Sequence, residues 1–130
     1  MEIVAGLFID NIDFRREPPG GPTKIDITGA YFSVQIDQYP HTLTPHLVVL
    51  LRAENEESRE GTMAVRFVRG DGTEAATHRA PVIIQPPGTF FYQLVRPELT
   101  YESPGTIEAH CEIVETGSRV IVPLTAVSAT

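Results

Sequence analysis

His46-Leu-Val-Val-Leu-Leu-Arg52 begins the stretch of sequence that decides the fold. It is followed by the acidic segment Ala53-Glu-Asn-Glu-Glu-Ser-Arg-Glu-Gly61, by Thr62-Met-Ala-Val-Arg-Phe-Val-Arg69 and by Gly70-Asp-Gly-Thr73. The two apolar runs predict long strands that pair as a hairpin across the acidic turn. Asp71-Gly72 predicts a second, tight hairpin, because this dipeptide accepts the positive φ that such turns require.

A helix over residues 45–60 is the alternative interpretation, because Thr44 could cap it and Pro45 suits its first position. The apolar residues from Leu47 to Leu51 are consecutive, however, and nothing apolar after Ala53 continues a helical stripe. A helix here would bury only its first half. The pattern therefore favours strands.

The rest of the chain repeats the alternation of apolar and polar residues that is typical of half-buried strands. The first strand is expected from about Ile3 to Ile9, where Asp10-Asn11 ends it. The clearest hairpin is the last one, in which Ile107–Ile113 and Val120–Leu124 alternate on either side of a glycine-containing turn. Pro123 has no main-chain donor and is expected at a sheet edge or a bulge.

Together these segments predict eight or nine short strands and no good helix. The economical architecture is all-β, a single antiparallel β-sandwich over residues 1–130. A chain of 130 residues suits one domain with one core. Its 42% hydrophobic and 21% charged residues are ordinary values for a folded soluble protein.

The charge balance argues against two classes of partner. Seventeen acidic and ten basic residues give a net charge of −7, which repels nucleic-acid phosphates and anionic lipid. No apolar run approaches the ~18 residues that a membrane span requires, and the N-terminal run has no basic region of a signal peptide. Cys111 is the only cysteine, so no intrachain disulfide is expected. A cytoplasmic protein fits these features.

Three segments are distinctive as a set: Met1-Glu-Ile-Val-Ala-Gly6, the Leu-Val-Val-Leu-Leu strand at 47–51 with the turns that follow it, and Pro104-Gly-Thr-Ile-Glu-Ala-His-Cys-Glu-Ile113. With these segments the chain resembles a family of small bacterial proteins of uncharacterised function. The resemblance implies a compact, immunoglobulin-like sandwich in an intracellular bacterial protein. It supplies no activity, cofactor or functional residue.

No group of residues predicts catalysis or a cofactor. Glu108, His110 and Glu112 share one face of a strand and could approach a metal, but their hairpin partner offers no further ligand. A solvated face is the simpler interpretation. His110 and Cys111 point to opposite faces, so they cannot form a nucleophile and base, and Cys111 is better read as a small core residue. We expect no enzyme, no metal and no cofactor.

Two further motifs have simpler structural interpretations. Asp10, Asn11 and Asp13 could offer oxygens to calcium, but such residues often end strands. Arg69-Gly70-Asp71 spells an adhesion tripeptide, but the tight turn already requires Asp-Gly.

The apolar residues suggest an interaction surface instead. Both faces of the expected central hairpin are partly apolar, and the second face carries Val48, Leu50, Ala64 and Val68. Phe91 and Val95 are expected as further exposed apolar contacts. Gln93 lies between them on the same side of a later strand, and this polar residue suggests that the side faces solvent. The predicted function is a non-enzymatic protein-interaction module, with self-association through that sheet face as one form.

A small-ligand or carbohydrate-binding module is the alternative function. Its site would be a cleft near Phe91, Tyr92 and Tyr101, since sugar sites often use exposed aromatic faces.

Overall fold

The computed structural model describes residues 1–16, 18–20, 23–86 and 88–128. These residues form an all-β fold, in which eleven strands account for most of the chain and the only helical segment is the 3-10 turn Glu56–Arg59. No helix in the described ranges has the length and apolar character needed to cross a membrane.

In chain order the strands are β1 (Glu2–Arg16), β2 (Thr23–Tyr31), β3 (Ser33–Gln35), β4 (His41–Leu43), β5 (His46–Arg52), β6 (Glu60–Arg69), β7 (Glu74–Ile83), β8 (Phe90–Val95), β9 (Leu99–Tyr101), β10 (Gly105–Ile113) and β11 (Arg119–Val127). Eleven strands are described against the eight or nine expected, because three of them are only three residues long.

Three sheets contain these strands. Sheet A has the order β2-β1-β5-β8, sheet B the order β3-β11-β10-β6-β7, and sheet C pairs β4 with β9. Every pairing is antiparallel except that of β3 with β11, which is parallel. The larger sheets supply one shared hydrophobic core, so the arrangement is sandwich-like.

The core forms where apolar side chains alternate toward the opposite sheet. Sheet A contributes Phe8, Leu47, Val49, Leu51 and Val95, and sheet B contributes Met63, Val65, Phe67, Ile107, Ala109, Cys111, Ile113, Val122 and Leu124. Gly6 lies close to the opposite sheet, because a β-carbon on it would be 2.7 Å from Val122 Cγ2.

The predicted final hairpin is confirmed. Ile107 pairs with Leu124 and Ala109 with Val122, and all four side chains are buried as the alternation requires. Pro123 pairs with Glu108 on one side only, since β3 pairs with β11 from residue 125 onward. Its missing donor therefore faces an unpaired edge, as expected.

The predicted pairing of the central strands is wrong. β5 lies between β1 and β8 in sheet A, whereas β6 lies between β10 and β7 in sheet B. The acidic segment between them is a capped 3-10 turn, in which the Asn55 side chain accepts a hydrogen bond from Ser58 N and the Ser58 side chain accepts one from Asn55 N. This turn carries the chain from one sheet to the other. The alternative helix over 45–60 is also absent, since residues 46–52 are strand.

The second predicted turn is confirmed. β6 and β7 form an antiparallel hairpin, Gly72 has a φ of 89°, and Arg69 N donates to Thr73 O across the turn. Asp71 accepts hydrogen bonds from the main-chain and side-chain donors of Thr73, and these bonds lower the pKa of its carboxyl.

The first strand is longer than expected. It continues through Asp10 and Asn11 to Arg16, and it pairs with β5 over residues 2–9 but with β2 over residues 8–16. The residues beyond Ile9 and their β2 partners therefore extend past β5 as a two-stranded arm.

Candidate functional site: the free edge of sheet A

The six predicted contact residues do not form one surface. Val48 and Leu50 lie on β5 in sheet A, whereas Ala64 and Val68 lie on β6 in sheet B. Each of these four alternates with core residues, so each pair faces outward from its own sheet. The expectation of a shared face is wrong, because it depended on pairing β5 with β6.

Sheet A nevertheless has an apolar outer face. Val48 is fully buried, but it lies outside the core and is directly opposite Leu7 on one side and Leu94 on the other. Leu7, Leu50 and Leu94 are half-buried there. Val48 is thus the centre of an apolar patch that continues onto β8.

The two predicted residues on β8 differ in exposure. Phe91 is 48% exposed, whereas Val95 is 2% exposed and belongs to the core opposite Leu47. The expectation that Val95 is exposed is wrong, because Gln93, which suggested a wet side, lies on the core-facing side at a half-buried position. Phe90, which is not among the six predicted contact residues, is 59% exposed.

β8 is an edge strand, and its main chain has donors and acceptors on the free side. Ala53 N donates to Thr89 O at 2.7 Å, just before the first pair of β8 with β5. Hydrogen-bonded and non-hydrogen-bonded pairs alternate in an antiparallel ladder. Phe91, Gln93 and Val95 are therefore bonded to β5, and the N–H and C=O groups of Phe90, Tyr92 and Leu94 point outward.

The sequence of this edge is unusual for the molecule. β8 reads Phe-Phe-Tyr-Gln-Leu-Val and contains no charged residue and no proline. The other edge strands carry features that discourage pairing with another chain: β7 contains Arg79 and Pro81, β2 contains Lys24 and Asp26, and β3, β4 and β9 have only three residues each. Among the strands that the structure describes, β8 is the edge that lacks such protection.

The start of β8 is held by contacts to its neighbours. The Arg59 guanidinium donates from Nη1 to the carbonyl oxygen of Gly88 and, at 3.4 Å, to that of Ile84. The rings of Phe91 and Tyr92 have centroids 5.0 Å apart. Arg59 thus bonds to the segment just before β8, and the two aromatic side chains contact each other.

No family model, curated protein or solved structure matches the chain. The resemblance to a family of small bacterial proteins stays a prediction.

Of the three side chains considered as metal ligands, two lie beside each other and the third lies beside Arg119. His110 Nε2 lies 3.3 Å from Glu108 Oε1, while Glu112 Oε2 lies 3.6 Å from Arg119 Nη2. Within the described ranges, no group of three or more His, Cys, Asp or Glu side chains could hold a metal ion.

Cys111 is a core residue. It is 1% exposed, and burial raises the pKa of its thiol from 9.0 to about 12. The neutral thiol is a poor nucleophile at neutral pH, because the thiolate is the reactive form.

The expected aromatic cleft is not formed. Tyr101 is buried, and its hydroxyl donates to the carbonyl oxygen of Leu124. It lines a cavity of about 250 Å³ with Arg69 and Thr106, and neither Phe91 nor Tyr92 belongs to that lining. The three aromatic residues therefore do not share one site.

Proposed function

We propose that this chain is a non-enzymatic protein-interaction module that binds an extended segment of a partner protein along the free edge of β8. The observation that carries the proposal is an unprotected edge strand whose exposed end bears Phe90 and Phe91. An added strand would satisfy the outward N–H and C=O groups of Phe90, Tyr92 and Leu94.

The side chains beside this edge define the chemistry of the partner. The outer face carries Leu50, Tyr92 and Leu94, and alternate residues of an added strand would continue that face. A partner segment with apolar residues at alternate positions fits best. The protein's net charge of −7 further favours a segment with basic residues at its other positions.

We also propose that the fold is an immunoglobulin-like sandwich. The shared core of the two large sheets supports this architecture. A single, buried cysteine supports a role in the cytoplasm, where structural disulfides are rare.

Peptide selection with an amide-exchange readout tests the function. Displayed peptides of random sequence would be selected against the wild-type protein, and exchange of the β8 amides would be followed by NMR. We expect fast exchange at Phe90, Tyr92 and Leu94 in the free protein and protection of these amides by a selected peptide. Selected peptides that leave the three amides unprotected would contradict the proposal.

Leu94→Pro is the sharpest variant, because it removes an outward N–H and leaves the bonds to β5 in place. We expect peptide affinity to fall by about tenfold or more, which corresponds to about 1.4 kcal/mol. Ile121→Lys is the matched control, since Ile121 is 50% exposed on β11 of the other sheet. Equal affinities for Leu94→Pro and wild type would also contradict the proposal.

A further inference from the structure

Within the described part of the chain, no third strand pairs with the arm formed by β1 and β2. β5 pairs with β1 only as far as Ile9, whereas the pairing of β1 with β2 continues to Arg16 and Thr23. Six residue steps separate Asp10 from Arg16, so the arm extends about 20 Å at roughly 3.4 Å per residue. A two-stranded ribbon of this kind is marginally stable unless one of its faces is covered.

One face of the arm is apolar. Ile12 pairs with Ile27 and Phe14 with Ile25, and these four side chains share the face that continues from Phe8 in the core. The three isoleucines are half-buried, and Phe14 is 68% exposed. The core-facing side of sheet A thus continues along the arm, past the last residue pair of β1 with β5.

The opposite face of the arm is charged and suited to water. Asp13 pairs with Asp26 and Arg15 with Lys24, and Arg15 Nε lies 2.8 Å from Asp26 Oδ2. The arm is therefore amphipathic, and only the side with Phe14 requires a cover.

The apolar face has an acidic end and a basic end. Asp10 lies at the base and Arg16 at the tip, both on the same side as Ile12 and Phe14 because side chains alternate along β1. The Asp10 carboxylate indeed lies beside Tyr31, whose pKa is raised first by burial and then by Asp10. A second arm turned end to end would place its Arg16 against this Asp10 and its Asp10 against this Arg16.

The base of the arm also has space for an apolar side chain. A cavity of about 370 Å³ opens there, and its lining includes Val34, Leu43 and Pro45 together with the polar residues Asp10, Tyr31, Ser33 and Thr44. In the end-to-end arrangement, Phe14 of one arm lies opposite Ile12 of the other, next to the entrance of this cavity.

We infer that two copies of this chain associate through their arms, which pack face to face and antiparallel about a twofold axis. The partner is a second copy because the apolar face has an acidic residue at one end and a basic residue at the other. When a second arm is reversed against it, opposite charges meet at both ends. A twofold axis makes each of these contacts twice. The inference is independent of the β8 edge.

Charge reversal at the two ends tests this arrangement. Asp10→Arg and Arg16→Asp would each place like charges together at both ends of a homodimer, which weakens association by about tenfold or more at low ionic strength. An equimolar mixture of the two variants restores opposite charges at both ends. We expect wild type to dimerise at micromolar concentration, each variant to be mainly monomeric there, and the mixture to form heterodimers.

Analytical ultracentrifugation measures the association, and native mass spectrometry with one isotope-labelled variant identifies the heterodimer. A wild-type protein that stays monomeric up to ~100 μM, beyond the range in which even small interfaces associate, would overturn the inference. Failure of the mixture to form heterodimers would overturn it too.

Phe14→Ser keeps the test decisive if a charge variant misfolds, because Phe14 is exposed and its loss leaves the core intact. We expect it to abolish dimerisation, and we expect Phe90→Lys on β8 to leave the dimer unchanged. If Phe90→Lys dissociates the dimer and Phe14→Ser does not, the second copy binds at β8 and the arm inference is wrong. Peptide binding at β8 is measured separately, so the two proposals fail independently.

Discussion

The hydroxyl of Tyr101 donates a hydrogen bond to the main-chain carbonyl oxygen of Leu124 at 2.7 Å, inside the core. This bond connects β9 of the small sheet to β11 of sheet B. Because both atoms are buried, we expect Tyr101→Phe to lower the free energy of unfolding by about 1 kcal/mol. Urea denaturation measures the change, with Tyr92→Phe at a half-buried outer position as the control. An unchanged free energy would show that the bond contributes nothing.

Gly6 of sheet A lies close to Val122 of sheet B. A β-carbon at Gly6 would lie 2.7 Å from Val122 Cγ2, so we expect Gly6→Ala to destabilise the fold by about 1–3 kcal/mol through overpacking. Val122→Ala in the same chain removes the clash, and the double variant should be more stable than the sum of the single changes predicts. Strict additivity in thermal denaturation would argue against this contact.

Stability should fall at alkaline pH because of Cys111. Burial raises its pKa from 9.0 to about 12, so the folded protein retains a proton that the unfolded chain loses between these values. The free energy of unfolding therefore decreases by up to about 1.4 kcal/mol per pH unit above pH ~9. Cys111→Ala should flatten this decrease in urea titrations at several pH values, and an identical slope in the variant would contradict the assignment.

Glu115 should stabilise the fold at neutral pH and lose this effect in acid. Its carboxylate accepts hydrogen bonds from Thr62 N at 2.7 Å and from Thr62 Oγ1 at 2.9 Å, and these bonds lower its pKa. A lowered pKa means that the stabilisation is present above the carboxyl's ordinary range and is lost as the pH falls through its folded-state value. Glu115→Gln should therefore show a weaker acid dependence than wild type, while Glu57→Gln at an exposed position should not.

The alternation of apolar and polar residues predicts the two hairpins whose strands are joined by a short turn. Residues 105–113 and 119–127 are joined by a tight turn, so the alternation of their side chains also sets their register. The pairing of β5 was missed for a physical reason. Alternation reveals which faces of a strand are apolar, but the choice of neighbouring strand depends on distant parts of the chain.

The arm and the edge position of β8 also depend on strand pairing that the local sequence pattern does not reveal. Asp10, Asn11 and Asp13 resemble the end of a strand because an exposed ribbon has few apolar residues to bury. The alternation of Ile12 with Phe14 and of Ile25 with Ile27 was the available signal for a longer strand. On β8, Phe91 was correctly expected to be exposed, but the edge position of the strand depends on sheet order, which the sequence pattern does not encode.

The crossing at Glu56–Arg59 has a consequence for fragments of this protein. A single cut there separates β1–β5 from β6–β11, yet each large sheet contains strands from both pieces. In sheet A, β5 would still need β8, and in sheet B, β3 would still need β11. Neither piece can complete a sheet alone, so the two should reassemble when mixed, and this exposed turn is the natural place to divide the protein into a complementing pair.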